Sequence, residues 1–437
     1  SNFFQKVFSS VNLVMREYVR EEPDLFVKVP GGIIEAKRWY FDNSWRWEHF
    51  RHNLKFNLGS LGNSIETVEK DEVLYKASST DSNIFSHEFY RIIKTEEGWR
   101  WEHKNGDWKL YDAAGNMTAY GTRTGTVGKL IYENGWMAGI ADRNDNQVLW
   151  YEYDGNQISA VSDIKNRRVA YGYTNGRLSS VTNGSGGTTR FEYDTKGRID
   201  KIIDAENFNS IVVYDSYGHV ASVVDSNGEG HFFEYDYDEG AKEAYVRIRS
   251  SAGKIREIWF DRNSEPIRVD VNGRTVQKIL RDGRDLIITD ENSRITRKEY
   301  DEWDNLTRII YPDSTAAHFE YEHNFNQKIK ETNEQGVITE FNYDEAGNLI
   351  RKTEAVDTED ERVTDYAYGG DGNLLTTRRL ADEDSSEALT AMTYDEVGNL
   401  SSTTDPQGVI TRFTSHDIMG NMLTKIDARG KEWKYEY

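Results

Sequence analysis

Tyr193-Asp194-Thr195-Lys196-Gly197-Arg198-Ile199 is a unit that this chain repeats. The same frame returns at Tyr214-Asp215 with Gly218, Tyr343-Asp344 with Gly347, and Tyr394-Asp395 with Gly398. Tyr153, Tyr173, Tyr193, Tyr214 and Tyr235 follow one another at steps of 20, 20, 21 and 21 residues. A fixed period sets architecture before any single motif does. A period near 21 makes about three quarters of the chain copies of one unit.

Turn chemistry gives the unit its shape. In a type I turn the first position favours Asp, whose carboxylate accepts from a backbone N–H two residues on, and the fourth favours Gly, which tolerates φ > 0. A second such turn falls about half a period later, at Asp225 with Gly228, Asp405 with Gly408, Asp427 with Gly430 and Asn333 with Gly336. Two turns per repeat imply two strands per repeat. Bulky residues alternate along those strands, as in Val169, Tyr171 and Tyr173, or Thr189, Phe191 and Tyr193, with Arg190 and Glu192 pointing the other way. Such alternation marks a sheet with one packed and one wetter face. The expected fold is all-β, antiparallel hairpins laid side by side in one continuous twisted sheet.

Some copies are degenerate. Phe260-Asp261 has Ser264 in place of Gly, Tyr300-Asp301 has Asp304 there, Glu322 follows Tyr321, and His416 precedes Asp417. Residues 357–362 and 382–387 are acidic insertions, expected to be solvated. Asp236, Asp238 and Gly240 open what reads as a longer, irregular arm ending near Trp259. Residues 1–95 lack the repeat and are expected to form an amino-terminal β cap, with 96–437 as the array. Phe4, Val7, Phe8, Val11 and Met15 fit one helix face or a strand. Leu25 to Val29, a Pro30-Gly31-Gly32 turn, Ile33 to Tyr40, and Trp45 to His49 read as hairpins. They are expected to cover the first edge of the array, because an open edge invites aggregation and terminal repeats need capping.

Composition narrows the possibilities. Hydrophobic content is 37% and mean hydropathy is −0.77, which suits a single-layer array better than one thick core. The 26 Tyr and 11 Trp supply much of the packing area. A net charge of −21 argues against nucleic acid and anionic membranes as partners. No apolar run is long enough to span a bilayer, and with no cysteine there is no disulfide scaffold or thiol chemistry. No signal peptide is legible. The chain opens on Ser1 and stops at Tyr437, where the next Tyr-Asp would be completed, so an excerpt of a longer protein is expected.

Tyr111-Asp112-Ala113-Ala114-Gly115-Asn116-Met117, Tyr343-Asp344-Glu345-Ala346-Gly347-Asn348-Leu349 and Tyr394-Asp395-Glu396-Val397-Gly398-Asn399-Leu400 together resemble the YD-repeat, or Rhs, family. Tyr153-Asp154-Gly155-Asn156 is a shortened copy. The resemblance runs from about Trp99 to Tyr437. It implies a long sheet that curls into a hollow shell, which in bacterial polymorphic toxins and Tc complexes encloses a carboxy-terminal toxic domain; teneurins use a related shell in adhesion. It further implies a toxin cargo in cis, absent from this chain, and secretion or display at the cell surface, with self-association left open. The family's terminal self-cleaving aspartyl motif is missing. Asp405-Pro406-Gln407-Gly408 is in phase with the ordinary second turns and reads as one of them.

Other candidate sites read as structure. His49 with His52, and His318 with His323, lack third and fourth zinc ligands. Asp142, Asn144 and Asn146, or Asp236, Asp238 and Gly240, open like calcium loops, but Tyr153 and Arg247 stand where the terminal Glu belongs. Gly184-Ser185-Gly186-Gly187 is a turn, not a nucleophile elbow. Among so many carboxylates some pairs lie close by chance, so no glycosidase pair is assigned. Trp39, Trp45, Trp47, Trp99, Trp101 and Trp108 suit cross-strand packing before sugar stacking. No catalytic, cofactor or metal residue is therefore expected. The function expected is a structural shell that sequesters a toxic cargo. The alternative is an adhesin or carbohydrate-binding repeat surface, favoured if the aromatic rings prove exposed beside carboxylates.

Overall fold

Each strand of this chain pairs with the next one in sequence, and that single rule builds the molecule. The structure, a computed structural model, describes residues 7–59, 64–381 and 386–437. From Lys55–Leu58 to Glu432–Lys434 the strands form one antiparallel sheet of 37 strands. Followed around its circumference the strand order closes on itself, with Lys55–Leu58 next to Glu432–Lys434. Strand-to-strand register runs unbroken from the first of these to the last, and all three residues of the last strand are exposed. The sheet is therefore a wound wall that returns to its first strand.

A β-bulge recurs at the tyrosines that precede the turns. Register shifts between Leu110 and Tyr111, Gly172 and Tyr173, Glu192 and Tyr193, Val213 and Tyr214, Asn342 and Tyr343, and Thr393 and Tyr394. Each bulge sets an extra residue into the partner strand, bends it and raises the local twist. Summed over the array, those bends wind the sheet until turns about 200 residues apart meet. Lys104 Nζ donates to Asn305 Oδ1 at 3.1 Å, and Asn326 Nδ2 donates to the Lys104 carbonyl at 3.4 Å. Phe89 and Trp303 lie 6.3 Å apart across the same seam.

The amino-terminal residues depart from expectation. Val7–Phe8, Val11–Asn12 and Glu17–Tyr18 form a small sheet rather than a helix, because Ser9, Ser10 and Arg16 sit at positive φ and interrupt any helical run. Phe4, and residues 382–385 of the second acidic insertion, lie outside the described residues. Arg20–Val29, Gly32–Phe41 and Ser44–Trp47 form the expected hairpins, but Glu48–Arg51 is one helical turn where a strand was read. These hairpins reach the first strands, where Arg46 pairs with Glu72 at 2.9 Å. Residues 7–54 go on to cross the tyrosine side of the first half of the array, and the large sheet already begins at Lys55. The expected irregular arm after Asp236 is regular: Gly230–Asp238 pairs with Glu243–Ser250 through eight registered positions without a bulge.

The core follows this arrangement. Tyr40, Phe85, Ile34, Ile92, Met117, Met137, Ile140, Leu149, Ile199 and Ile248 are fully buried. Among the described residues, Ala317 is the single buried apolar side chain beyond Phe260. The first half is thus two layers, sheet plus amino-terminal segment, and the second half is one.

A matched pair of glycines tests the seam. Gly347 and Gly408 share φ near +80° (+78° and +79°), so alanine costs each about 1–2 kcal/mol of backbone strain. At Gly408 a Cβ meets nothing within 4 Å, whereas at Gly347 it meets Phe325 at 2.7 Å and Arg123 at 2.9 Å across the seam. Gly347→Ala is expected to lower the thermal midpoint further than Gly408→Ala. Equal shifts would mean that the seam contributes little.

Candidate functional site

The functional feature of a repeat wall is its surface, and here the surface is built from the tyrosine turns. Asp194 is representative. Its Oδ1 accepts from the N–H groups of Lys196 and Arg198, both at 2.9 Å, while the Gly197 N–H donates to the Asp194 carbonyl at 2.9 Å with Gly197 at φ +85°. Asp215 accepts likewise from Tyr217 and His219, with Gly218 at φ +96°. Asp112, Asp344 and Asp395 each also take the side-chain amide of the Asn four residues on, at 2.9, 3.0 and 2.9 Å. Gly115, Gly347 and Gly398 supply the positive φ in those turns. Asp154 instead ends its strand opposite Gln157 across a two-residue loop. Where Glu322 replaces Asp, the longer side chain accepts from Phe325 and Gln327 across a loop one residue longer. Ser264 and Asp304, in the glycine position of degenerate turns, are held at φ +61° and +54°.

The tyrosines do a different job. Tyr153 donates its hydroxyl to the Met137 carbonyl at 2.9 Å, Tyr173 to Ile158 at 2.9 Å, Tyr193 to Leu178 at 2.5 Å and Tyr214 to Ile199 at 2.8 Å. Later in the array Tyr343 reaches Lys328 and Tyr394 reaches Leu374, both at 2.8 Å. Each acceptor is the residue that pairs, across the previous turn, with the tyrosine of the repeat before. The bulge leaves that residue outside the ladder to the following strand: Ile199 has no partner there, since pairing resumes at Lys201 with Ile211. A buried carbonyl without a partner is costly, and the next repeat's tyrosine satisfies it. Tyr111 and Tyr235 are exceptions, their hydroxyls being buried without a hydrogen-bond partner.

Residues 7–54 use the N–H groups of the same post-turn residues. Met117 N–H donates to Asn53 Oδ1 at 2.9 Å, Ile199 N–H to Tyr40 Oη at 3.0 Å and Val220 N–H to the Arg16 carbonyl at 2.9 Å. Leu54 N–H donates to the Gly115 carbonyl at 2.8 Å. Aromatic rings fill the space between: Trp45 on Phe191 at 5.0 Å and Trp47 on Tyr171 at 4.9 Å. One end of the segment is pinned by His52, which lies between Glu48 and Asp71 at 2.7 Å on each side. Burial alone would raise both carboxyls, but the hydrogen bonds from His52 outweigh it and hold them well below the usual carboxylate range.

The named tyrosines, aspartates and glycines are therefore not gathered into one cluster; they form a row along one rim of the sheet. Neither calcium-like segment departs from turn geometry: Asp142 Oδ1 accepts from Asn144 and Asn146, and Asp238 Oδ1 from Gly240 and Ala241. Among the described residues no group of three or more His, Asp or Glu side chains is placed to hold a metal, and no helix is long and apolar enough to cross a membrane. Two features escaped the sequence reading. Asn134-Gly135, Asn175-Gly176 and Asn272-Gly273 close two-residue hairpins with φ > 0 at both positions, which the Asn-Gly dipeptide signals. The seam residues Lys104, Arg123 and Phe325 carry no periodic signal.

Residues 147–269 match the Teneurin YD-shell family model, and residues 394–432 match the RHS Repeat. Those stretches are YD-repeat sequence, as the Tyr-Asp turns implied. No curated protein matches the chain. Similar solved structures include a chain of the Tc holotoxin pore of Photorhabdus luminescens, at 12% identity and a TM-score of 0.42 over 93% of this chain and 24% of that one. A chain of the TcdB2-TccC3 crystal structure is also similar, at 12% identity and a TM-score of 0.34 over 95% and 28%. The chain thus spans about a quarter of the length of these solved chains.

Two predictions follow from the tyrosine row. Tyr214→Phe leaves the Ile199 carbonyl without its partner and is expected to cost about 1–2 kcal/mol, read as a lower urea midpoint. Tyr111→Phe, which removes an unpartnered hydroxyl, is expected to leave the midpoint unchanged or raise it. Burial pushes Tyr132, Tyr153, Tyr173 and Tyr193 up to about 12 from a usual value near 10. Because the folded values lie above the unfolded one, their stabilisation is complete below pH 10 and is lost as pH rises through about 12. Unfolding should therefore set in across that window, followed by tyrosinate absorbance together with far-ultraviolet circular dichroism. Titration of these tyrosines near pH 10 with the fold intact would refute this.

Proposed function

We propose that this chain is the wall and amino-terminal seal of a container that sequesters a toxic domain carried in cis on a longer, secreted or surface-displayed protein. One observation carries the reading: a single sheet face is covered over its first half and continues largely uncovered over its second, where among the described residues the amino-terminal segment reaches it at Lys28, whose N–H donates to the Ile418 carbonyl at 2.8 Å. The register places Phe319, Phe341, Tyr366, Met392 and Phe413 on the tyrosine face of the second half. Between them stand Glu331, Lys352, Thr377 and Lys425. All nine are partly buried, and the aromatic rings are diluted by charge. That mixture suits contact with a loosely folded guest more than a tight binding site. The opposite face carries cross-strand ion pairs, such as Arg351 with Asp365 at 2.6 Å and Lys330 with Glu340 at 3.3 Å, which keep it wetted and contribute about 0–1 kcal/mol each.

An adhesin or sugar-binding surface is the weaker reading, because the repeat tyrosines are half-buried and spend their hydroxyls inside the sheet. The amino-terminal residues act in the container reading as a seal over the first winding, and the array beyond them as the wall. Solution scattering, with mass determined in the same run, tests it. A compact solid 437-residue particle has a radius of gyration of about 22 Å. A larger value fitting a curved or hollow wall is expected, and the mass shows whether one copy or several enclose the space. A solid particle near 22 Å, or a straight rod, would sink the proposal.

A further inference from the structure

The strand Ser44–Trp47 leans over the tyrosine rim and leaves a cleft of about 520 Å³ between the amino-terminal segment and the sheet. Rings wall it: Trp45, Trp47, Trp136, Tyr153, Tyr173 and Tyr193. The tyrosine hydroxyls are already committed to backbone carbonyls, and the Trp45 indole N–H donates to the Tyr193 hydroxyl at 3.2 Å. Those tyrosine and Trp45 faces therefore present carbon rather than donors, while Asn43, Ser44, Asn156 and Gln157 add neutral polar groups to the lining.

The polar chemistry of the cleft has one sign. Arg38, Arg46 and Arg177 line it, and no Asp or Glu does, in a chain with 75 acidic residues. Arg46 is already paired with Asp42 and Glu72. Arg38 is 2% exposed, its Nε and Nη2 held by Asp24 at 2.6 and 2.8 Å, its guanidinium 4.7 Å from the Trp45 ring. Its Nη1 is buried with no partner, and a buried N–H without an acceptor calls for one. Arg177 makes no ion pair among the described residues and lies 6.0 Å from the centre of the Tyr193 ring. Arg177 thus supplies uncompensated charge and Arg38 an unused, fixed donor.

We propose that this cleft is a binding site for a small organic anion with a flat apolar body, an aromatic carboxylate in chemical class. The rings take the body, and the carboxylate accepts from Arg38 Nη1 and pairs with Arg177. The site does not depend on the container reading, since it is complete within residues 38–193.

Calorimetric titration of the whole chain with 2-naphthoate tests it, against 2-naphthamide and glucuronate. Naphthoate is expected to bind at least about tenfold more tightly than the neutral amide, with glucuronate weaker than naphthoate. Arg177→Gln is expected to weaken naphthoate about tenfold without moving the thermal midpoint. Arg38→Lys keeps the charge beside Asp24 but removes Nη1, and is expected to weaken binding in protein that circular dichroism shows to be folded. Equal binding of acid and amide, tighter binding of glucuronate, indifference to Arg177→Gln, or no heat up to about 10 mM naphthoate would each overturn the proposal.

Discussion

The bond from a tyrosine hydroxyl to the carbonyl of the residue paired across the previous turn is the contact on which the rest of this structure depends. It exists because each repeat carries a bulge at the tyrosine. The bulge bends the strand, as a wound sheet requires, but it also takes the post-turn residue out of the ladder. Both polar groups of that residue then need partners. Tyr214 meets the Ile199 carbonyl and Tyr40 meets the Ile199 N–H. One partner comes from the next repeat and the other from the amino-terminal segment. Winding, repeat-to-repeat coupling and attachment of the amino-terminal segment are therefore three results of one local irregularity. Coupling between neighbours is also what makes such an array cooperative along its length.

The two halves of the wall use the same turns for different ends. From Val68 to Phe260 the tyrosine face packs under a second layer and buries large apolar side chains such as Ile92, Met117 and Ile199. Beyond Phe260 the turns persist with equal precision, as at Asp344 and Asp395, but among the described residues Ala317 is the single buried apolar side chain there. Hydrophobic stabilisation scales with apolar area removed from water, so the second half has less to hold it locally and relies more on its ladders and the seam. Local opening is expected where burial is thin.

Carboxylates on the turns accept from backbone N–H groups, as at Asp194 and Asp405, and others pair across strands, as Asp365 does with Arg351. The aromatic cleft beside Arg38 and Arg177 runs against that balance, because no carboxylate lines it.

Much of this was legible in the sequence. The period of 21, the Asp-x-x-Gly turns and the alternation of Phe191 and Tyr193 with Glu192 required antiparallel hairpins in one sheet, because turn geometry and the two-residue strand period are local properties. What tyrosine does was not legible: a hydroxyl reaching a carbonyl some 15 residues back depends on a bulge, and the pattern Tyr-Asp looks the same with or without one. Asn-Gly turns were readable and were passed over. The path of residues 7–54 across a dozen later strands, the meeting of Lys104 with Asn305, and the gathering of Arg38 and Arg177 around one cleft came only from the tertiary structure. Each joins segments more than 60 residues apart. Such contacts are set by the accumulated bend of the whole sheet, and no local run of residues encodes that sum.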